Sequence, residues 1–105
     1  MGVKMNPMTI KKDMVVKHFK RETLTEEEKN KYFYLYRIEG LAKHTETGTL
    51  MVIYTALYED PSKGITEEKG RTFARDYEMF MSEVDKEKYP DIKQKYRFEP
   101  YTYGD

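Results

Sequence analysis

The spacing of apolar and polar residues changes period several times along this chain. DMVVKHFK (13–20) is rich in β-branched residues and reads as a first strand. In TLTEEEKNKY, Thr25 and Glu28 have the S/T-x-x-E spacing of a capping box, which predicts a short helical turn with its acidic cluster at the positive end. From Tyr32 the pattern returns to strand in YFYLYRIEGLAKH, and TLMVIYTALY (49–58) supplies the next one. EDPSKGITEEKGR (59–71) is a polar loop punctuated by Pro61, Gly64 and Gly70. A short strand, TFAR, follows. DYEMFMSEV then takes helical spacing, with Tyr77, Phe80, Met81 and Val84 on one face and Asp76 placed as the cap. YRFEPYTY (96–103) is a closing strand that Pro100 stops or confines to an edge. About five strands, one or two short helices and no strand–helix alternation predict a mainly β fold, a small barrel or roll.

The segment AKHTETGTLMVIY (42–54) is the clearest hairpin. Glu46, Thr47 and Gly48 fit a type I turn closed by a left-handed residue, a conformation glycine adopts without steric cost. That loop would set Thr45 opposite Thr49, His44 opposite Leu50 and Gly40 opposite Tyr54. One face then carries Tyr36, Ile38, Ala42, Val52, Tyr54, Ala56 and Tyr58, with no charge, and reads as the interior. The other mixes Leu35, Leu41, Met51, Ile53 and Leu57 with Arg37, Glu39, Lys43 and Thr55. Each exposed large aliphatic forfeits about 1.5–3 kcal/mol of burial. The second face therefore calls for a cover: the Tyr77–Val84 helix, or a second copy of the chain docked on Leu41, Met51 and Ile53.

Composition narrows the chemistry. The 105 residues suit a single domain spanning 1–105, with 1–12 as a basic, solvated arm. Nineteen basic residues balance nineteen acidic ones, so no global field steers the protein to nucleic acid or to an anionic membrane. The absence of cysteine removes disulfides, thiolate metal sites and cysteine nucleophiles, and is compatible with a reducing compartment. No apolar run is long enough to cross a bilayer and the first residues do not form a signal peptide, so a soluble, cytoplasmic protein is expected. Ten tyrosines and no tryptophan predict rings held at half-buried positions or interfaces.

Motifs with catalytic meaning are sparse. His44 and Glu46 spell H-x-E, but the zinc deaminases that use it need cysteines this chain lacks. His18, His44 and one carboxylate could in principle hold a metal. The reading preferred here is a histidine at a strand end bonded to its neighbouring loop, with no metal and no cofactor. Neither Ser62 nor Ser82 lies in G-x-S-x-G, and the glycines form no phosphate-cradling pattern. KYFYLYR (31–37) could stack single-stranded nucleic acid, although the balanced charge argues against it. Arg75 lies in an apolar stretch and needs a carboxylate partner or an anionic ligand, and the structural partner is the preferred reading.

Four blocks, KHFK (17–20), YRIEGLAKHTET (36–47), LMVIYTALY (50–58) and FARDYEMF (73–80), resemble in order and spacing the small bacterial proteins grouped as domain of unknown function 1653. The resemblance covers most of residues 14–84 and implies an SH3-like small β-barrel. It brings no activity. His18, Phe19, Gly40, His44, Glu46, Tyr54, Tyr58, Arg75, Met79 and Phe80 occupy matching positions. The chain departs from the family pattern at Phe73 and Asp76, where the family has tryptophan and proline, and by insertions at roughly 21–31 and 59–71.

The expectation is thus a non-catalytic binding module for a peptide, a protein or a small anionic ligand. Tyr36, Tyr54 and Tyr58 would supply aromatic walls, Arg75 a cation and His44 a polar tip. The alternatives are a small enzyme with His44 as general base beside Glu46 or Glu78, and a single-strand nucleic-acid binder.

Overall fold

The computed structural model describes residues 6–58 and 71–102. Five strands, β1 (Val15–His18), β2 (Leu35–Lys43), β3 (Leu50–Ala56), β4 (Thr72–Asp76) and β5 (Phe98–Pro100), form one sheet in the order β4-β3-β2-β1-β5. Every neighbouring pair is antiparallel. Strands β1 to β4 meander, and β5 returns to pair with β1. The mainly β architecture is as expected, but the sheet is open: β4 and β5 are its two edges. Side chains span the gap instead, for the Arg75 guanidinium carbon lies 6.0 Å from the centre of the Phe98 ring. The segment 59–70, most of the expected second insertion, lies outside the described residues.

Residues directly opposite in an antiparallel pair point to the same side, and each strand alternates sides with period two. The registers Val16↔Tyr36, Tyr36↔Ala56, Ile38↔Tyr54, Tyr54↔Phe73 and His18↔Phe98 therefore put all these side chains on one face. That face is the core, where Val16, Ile38, Val52 and Phe98 are almost wholly buried. Phe80 stacks on Phe98 with ring centres 4.0 Å apart and planes 5° apart.

The hairpin departs from the expected register. Lys43 faces Leu50 and Gly40 faces Ile53, and the pairing shifts between Ile38 and Gly40. Glu39 is the extra residue of a β-bulge, and Gly40 sits at φ 149°, a region open essentially to glycine alone. The bulge explains Gly40 better than room for a ring opposite. It also reverses the alternation, so Leu41 rather than Ala42 shares the face of Val52, and Ala42 is exposed. The loop holds four residues, 45–48, closed by the His44 N–H on the Thr49 carbonyl and the Gly48 N–H on the His44 carbonyl. Gly48 has φ 75°, as expected of the left-handed position. Gly48→Ala meets nothing closer than the Lys43 Cε at 3.7 Å, so its cost is conformational. A loss of about 1 kcal/mol in urea unfolding is expected.

Thr25 and Glu28 form the full capping box of α1 (Glu26–Lys29). Asp76 caps α2 (Tyr77–Phe80), its carboxylate accepting from the Glu78 and Met79 N–H groups. That helix is one turn, shorter than its periodicity suggested, because the backbone beyond it is captured elsewhere. The Arg97 N–H donates to Ser82 and the Val84 N–H to Lys95. Val84 consequently packs in a second cluster with Phe19 and Ile92. Phe80 and Met81 cover the core face, not the opposite one. On that other face Leu35 is buried and Met51, Ile53 and Leu57 are half-buried; Leu41, which the bulge turns to the side of Val52, is 49% exposed. The expected amino-terminal arm is held down from Asn6 onward. Its amide donates to the Phe98 carbonyl at 2.6 Å, and Met8 and Ile10 pack on the core.

Candidate functional site

The same alternation that builds the core leaves a cavity of about 390 Å³ at one end of the face. From β3 and its extension come Tyr54 and Tyr58, and from β2 and the residue before it Tyr34 and Tyr36. Strand β4 contributes Phe73 and Arg75, with Arg71 just ahead of it. His18 and Phe98, paired across β1 and β5, form part of the wall, and Lys20 stands at the rim of the following 3-10 turn, Phe19–Thr23. Among the described residues the lining thus holds three cationic side chains, four tyrosines, two phenylalanines and one histidine, with no carboxylate.

His18 is the most constrained of these groups. Its ring stacks on Phe19 at 4.3 Å and meets the edge of Phe98 at 5.0 Å. The Lys20 backbone N–H donates to its Nδ1 at 3.1 Å, so the proton of the neutral ring lies on Nε2. Burial above all, then the charges of Arg97, Lys20 and Arg75, lower its pKa from the usual 6.5 to about 3. Between these two values the unfolded chain binds a proton that the folded chain refuses, so stability falls as pH drops from about 6.5 toward 3. Urea titrations between pH 7.5 and 5 should show a loss approaching ~1 kcal/mol per pH unit below 6.5, and the slope should disappear in His18→Gln. An unchanged slope in the variant would assign the effect to other groups.

Arg75 donates through Nε to the Tyr54 hydroxyl at 3.1 Å, and among the described residues it makes no ion pair with a carboxylate. Its close charged neighbour is another guanidinium. Burial, then Arg75, press Arg97 below its ordinary pKa. Two cations held together repel, and a bound anion would relieve that repulsion. The Tyr36 and Tyr58 hydroxyls bond at 2.9 Å. Burial first, and then this bond, raise the Tyr36 pKa and keep the phenol protonated.

Four of the residues singled out from sequence, Arg75, Tyr36, Tyr54 and Tyr58, therefore meet in one cavity. His44 does not join them. It stands exposed at the hairpin turn, where its Nδ1 accepts the N–H groups of Glu46 and Thr47 at 3.2 and 3.3 Å. Its Nδ1 is thus engaged by its own loop, and His44 is not among the described residues that line the cavity. Among the described residues no three histidine or acidic side chains are grouped to hold a metal. Nor is any described helix long and apolar enough to cross a membrane. His18, Lys20, Tyr34, Arg71, Phe73 and Phe98 were missed as site residues. Parity along each strand was the available signal: His18 has the parity of Val16, and Phe73 that of Arg71 and Arg75.

The protein is thus of the open, five-stranded antiparallel class, with a cationic, aromatic-lined cavity on the core face of its sheet. Residues 14–100 match the model of the family described as protein of unknown function (DUF1653), and the chain belongs to that family. No curated protein and no solved structure matches it.

Proposed function

We propose that this protein is a non-catalytic binding module whose cavity takes a small organic anion, with Arg75 as the principal charge and Tyr36, Tyr54, Tyr58 and His18 as its surroundings. The observation that carries the reading is Arg75 itself: a half-buried guanidinium, braced by a phenol, opening on a cavity whose lining among the described residues holds two further cations and no carboxylate. The volume lies within the range of small-molecule sites, and apolar walls with a few convergent polar groups are their usual makeup. A meander of four strands with the fifth returned to the first is consistent with an opened SH3-like roll, on which loops and strand ends shape the mouth.

The test is a titration of the ¹⁵N-labelled protein with benzoate and phenyl sulfate, followed by amide shifts. Shifts should gather around His18, Tyr54 and Arg75 and weaken with added salt. Arg75→Met, which keeps the apolar stem, should lower affinity by about 10- to 100-fold, the worth of a hydrogen bond to a charged group. Shifts scattered over surface lysines, or unaltered by the substitution, would remove Arg75 from the site.

A further inference from the structure

Strand β4 and the residue before it turn three side chains the same way. Val52 faces Arg75 and Tyr54 faces Phe73, and the Ala56 N–H donates to the Arg71 carbonyl, which carries the ladder one residue past the strand. Arg71, Phe73 and Arg75 therefore alternate with Thr72 and Ala74 and share the core face, where all three line the cavity. At about 3.3 Å of rise per residue the two arginine backbones stand roughly 13 Å apart, with the phenylalanine midway. They differ in depth. Arg75 is half-buried, its Nε on the Tyr54 hydroxyl and its guanidinium carbon 6.0 Å from the centre of Phe98. Arg71 is exposed and stands at the mouth. Phe73 is fixed between them by Tyr54, tilted against it at 5.5 Å, and by Tyr36, edge-on at 6.2 Å.

We propose that the cavity takes a rod-shaped organic dianion, a flat apolar body with an oxyanion at each end, one end seated on Arg75 and the other on Arg71. The inference rests on the reading of the cavity as an anion site and names the ligand class: aromatic dicarboxylates, or aryl carboxylates with a sulfate or phosphate ester at the far end. A benzene ring with para carboxylates, extended at each end by one N–H···O contact, spans about the distance between the two arginines. Phe73 gives such a ring an aromatic surface to lie against on the way. A guanidinium presents a planar fork that matches an oxyanion; Arg75, with its Nε engaged, would use its terminal nitrogens. The two ends carry different weight. The half-buried Arg75 is less screened by solvent and holds any anion, whereas Arg71, in contact with water, adds a smaller increment that only a second charge can claim.

Three probes of one size test this by amide-shift titration of the intact protein at pH 7.5, where every carboxyl is ionised. Terephthalate carries a carboxylate at each end of its ring, 4-carbamoylbenzoate replaces one of them by a neutral amide, and phthalate keeps both charges on one side. Terephthalate should bind at least fivefold more tightly than 4-carbamoylbenzoate, of which about twofold is the statistical gain of two equivalent ends and the rest is the exposed Arg71 contact. Phthalate, equal in charge to terephthalate, should bind at least fivefold more weakly than terephthalate, because it cannot reach both arginines. In Arg71→Gln the ratio of terephthalate to 4-carbamoylbenzoate should fall to about the statistical twofold. A ratio below fivefold in the unsubstituted protein, phthalate bound as tightly as terephthalate, or a ratio that Arg71→Gln leaves unchanged would each overturn the proposal. If 4-carbamoylbenzoate then still shifts the amides of His18, Tyr54 and Arg75, the anion site itself stands. The comparison of the three probes in the unsubstituted protein decides alone if the variant does not fold. Binding of none of them would overturn the anion site and this inference together.

Discussion

Phe98→Ala is expected to be the most damaging single change described here, lowering stability by about 4 kcal/mol. The ring is 1% exposed and belongs to β5, the strand that returns to pair with β1. It stacks on Phe80 and meets Tyr36 and Tyr54 at 5.8 and 5.5 Å. Aromatic pairs of this kind add to the burial term, and truncation leaves a cavity that rigid neighbours cannot refill. Because the same ring is a wall of the cavity and lies against both His18 and Arg75, binding of phenyl sulfate should be lost as well. Urea unfolding with an unchanged m-value measures the first effect. A loss below about 1 kcal/mol would show that the sheet's open side is not closed by this stack.

Arg21→Met is expected to cost about 3 kcal/mol, a large effect for a residue outside the main core. Arg21 is 7% exposed, and its guanidinium donates to the carbonyls of Phe33 and Lys29 at 2.7 and 2.9 Å. Methionine keeps the stem and removes both donors, leaving two carbonyls to find water or move. These bonds tie α1 to the turn leading into β2, where Tyr32 and Tyr34 hold φ of 61° and 64°. Left-handed backbone costs a bulky residue roughly 1–2 kcal/mol, and it persists only where the surroundings impose it. Amide exchange across residues 24–34 should therefore accelerate well beyond the global change. Protection falling equally everywhere would mean that Arg21 supports the whole fold and not this segment. Tyr34 lines the cavity, so the substitution should also weaken anion binding without removing any charge from the cavity lining.

Much of the local architecture was legible along the chain. The capping box at Thr25 and Glu28, the cap at Asp76 and the left-handed turn at Gly48 depend on chemistry within four residues, and each was found where that chemistry placed it. The apolar face of Tyr36, Ile38, Val52, Tyr54 and Ala56 was also readable, since period two survives in any half-buried strand. The bulge at Glu39 was not. One extra residue in a ladder leaves composition and local propensity almost unchanged, yet it shifts the pairing and exchanges Leu41 for Ala42 on the core face. The length of α2 failed for a different reason. Helical spacing ran on to Val84, but pairing of 82–84 with 95–97 offered the backbone a competing set of hydrogen bonds.

The candidate site divides along the same line. Arg75 drew notice because a guanidinium inside an apolar stretch must be neutralised by something, and that requirement is a property of the residue and its near neighbours. His44 drew notice for standing beside a turn, and its Nδ1 is engaged by the loop it closes. His18 has no local peculiarity at all. Its importance comes from the Lys20 N–H behind it, the Phe98 ring across a strand pair and cations from β4 and the approach to β5. By itself, then, the sequence determined the strands, caps and turn, and the presence of a cation within an apolar stretch. Only the tertiary structure decided which histidine shares a cavity with that cation, because strand order and register, set by long-range pairing, determine which side chains converge on one face.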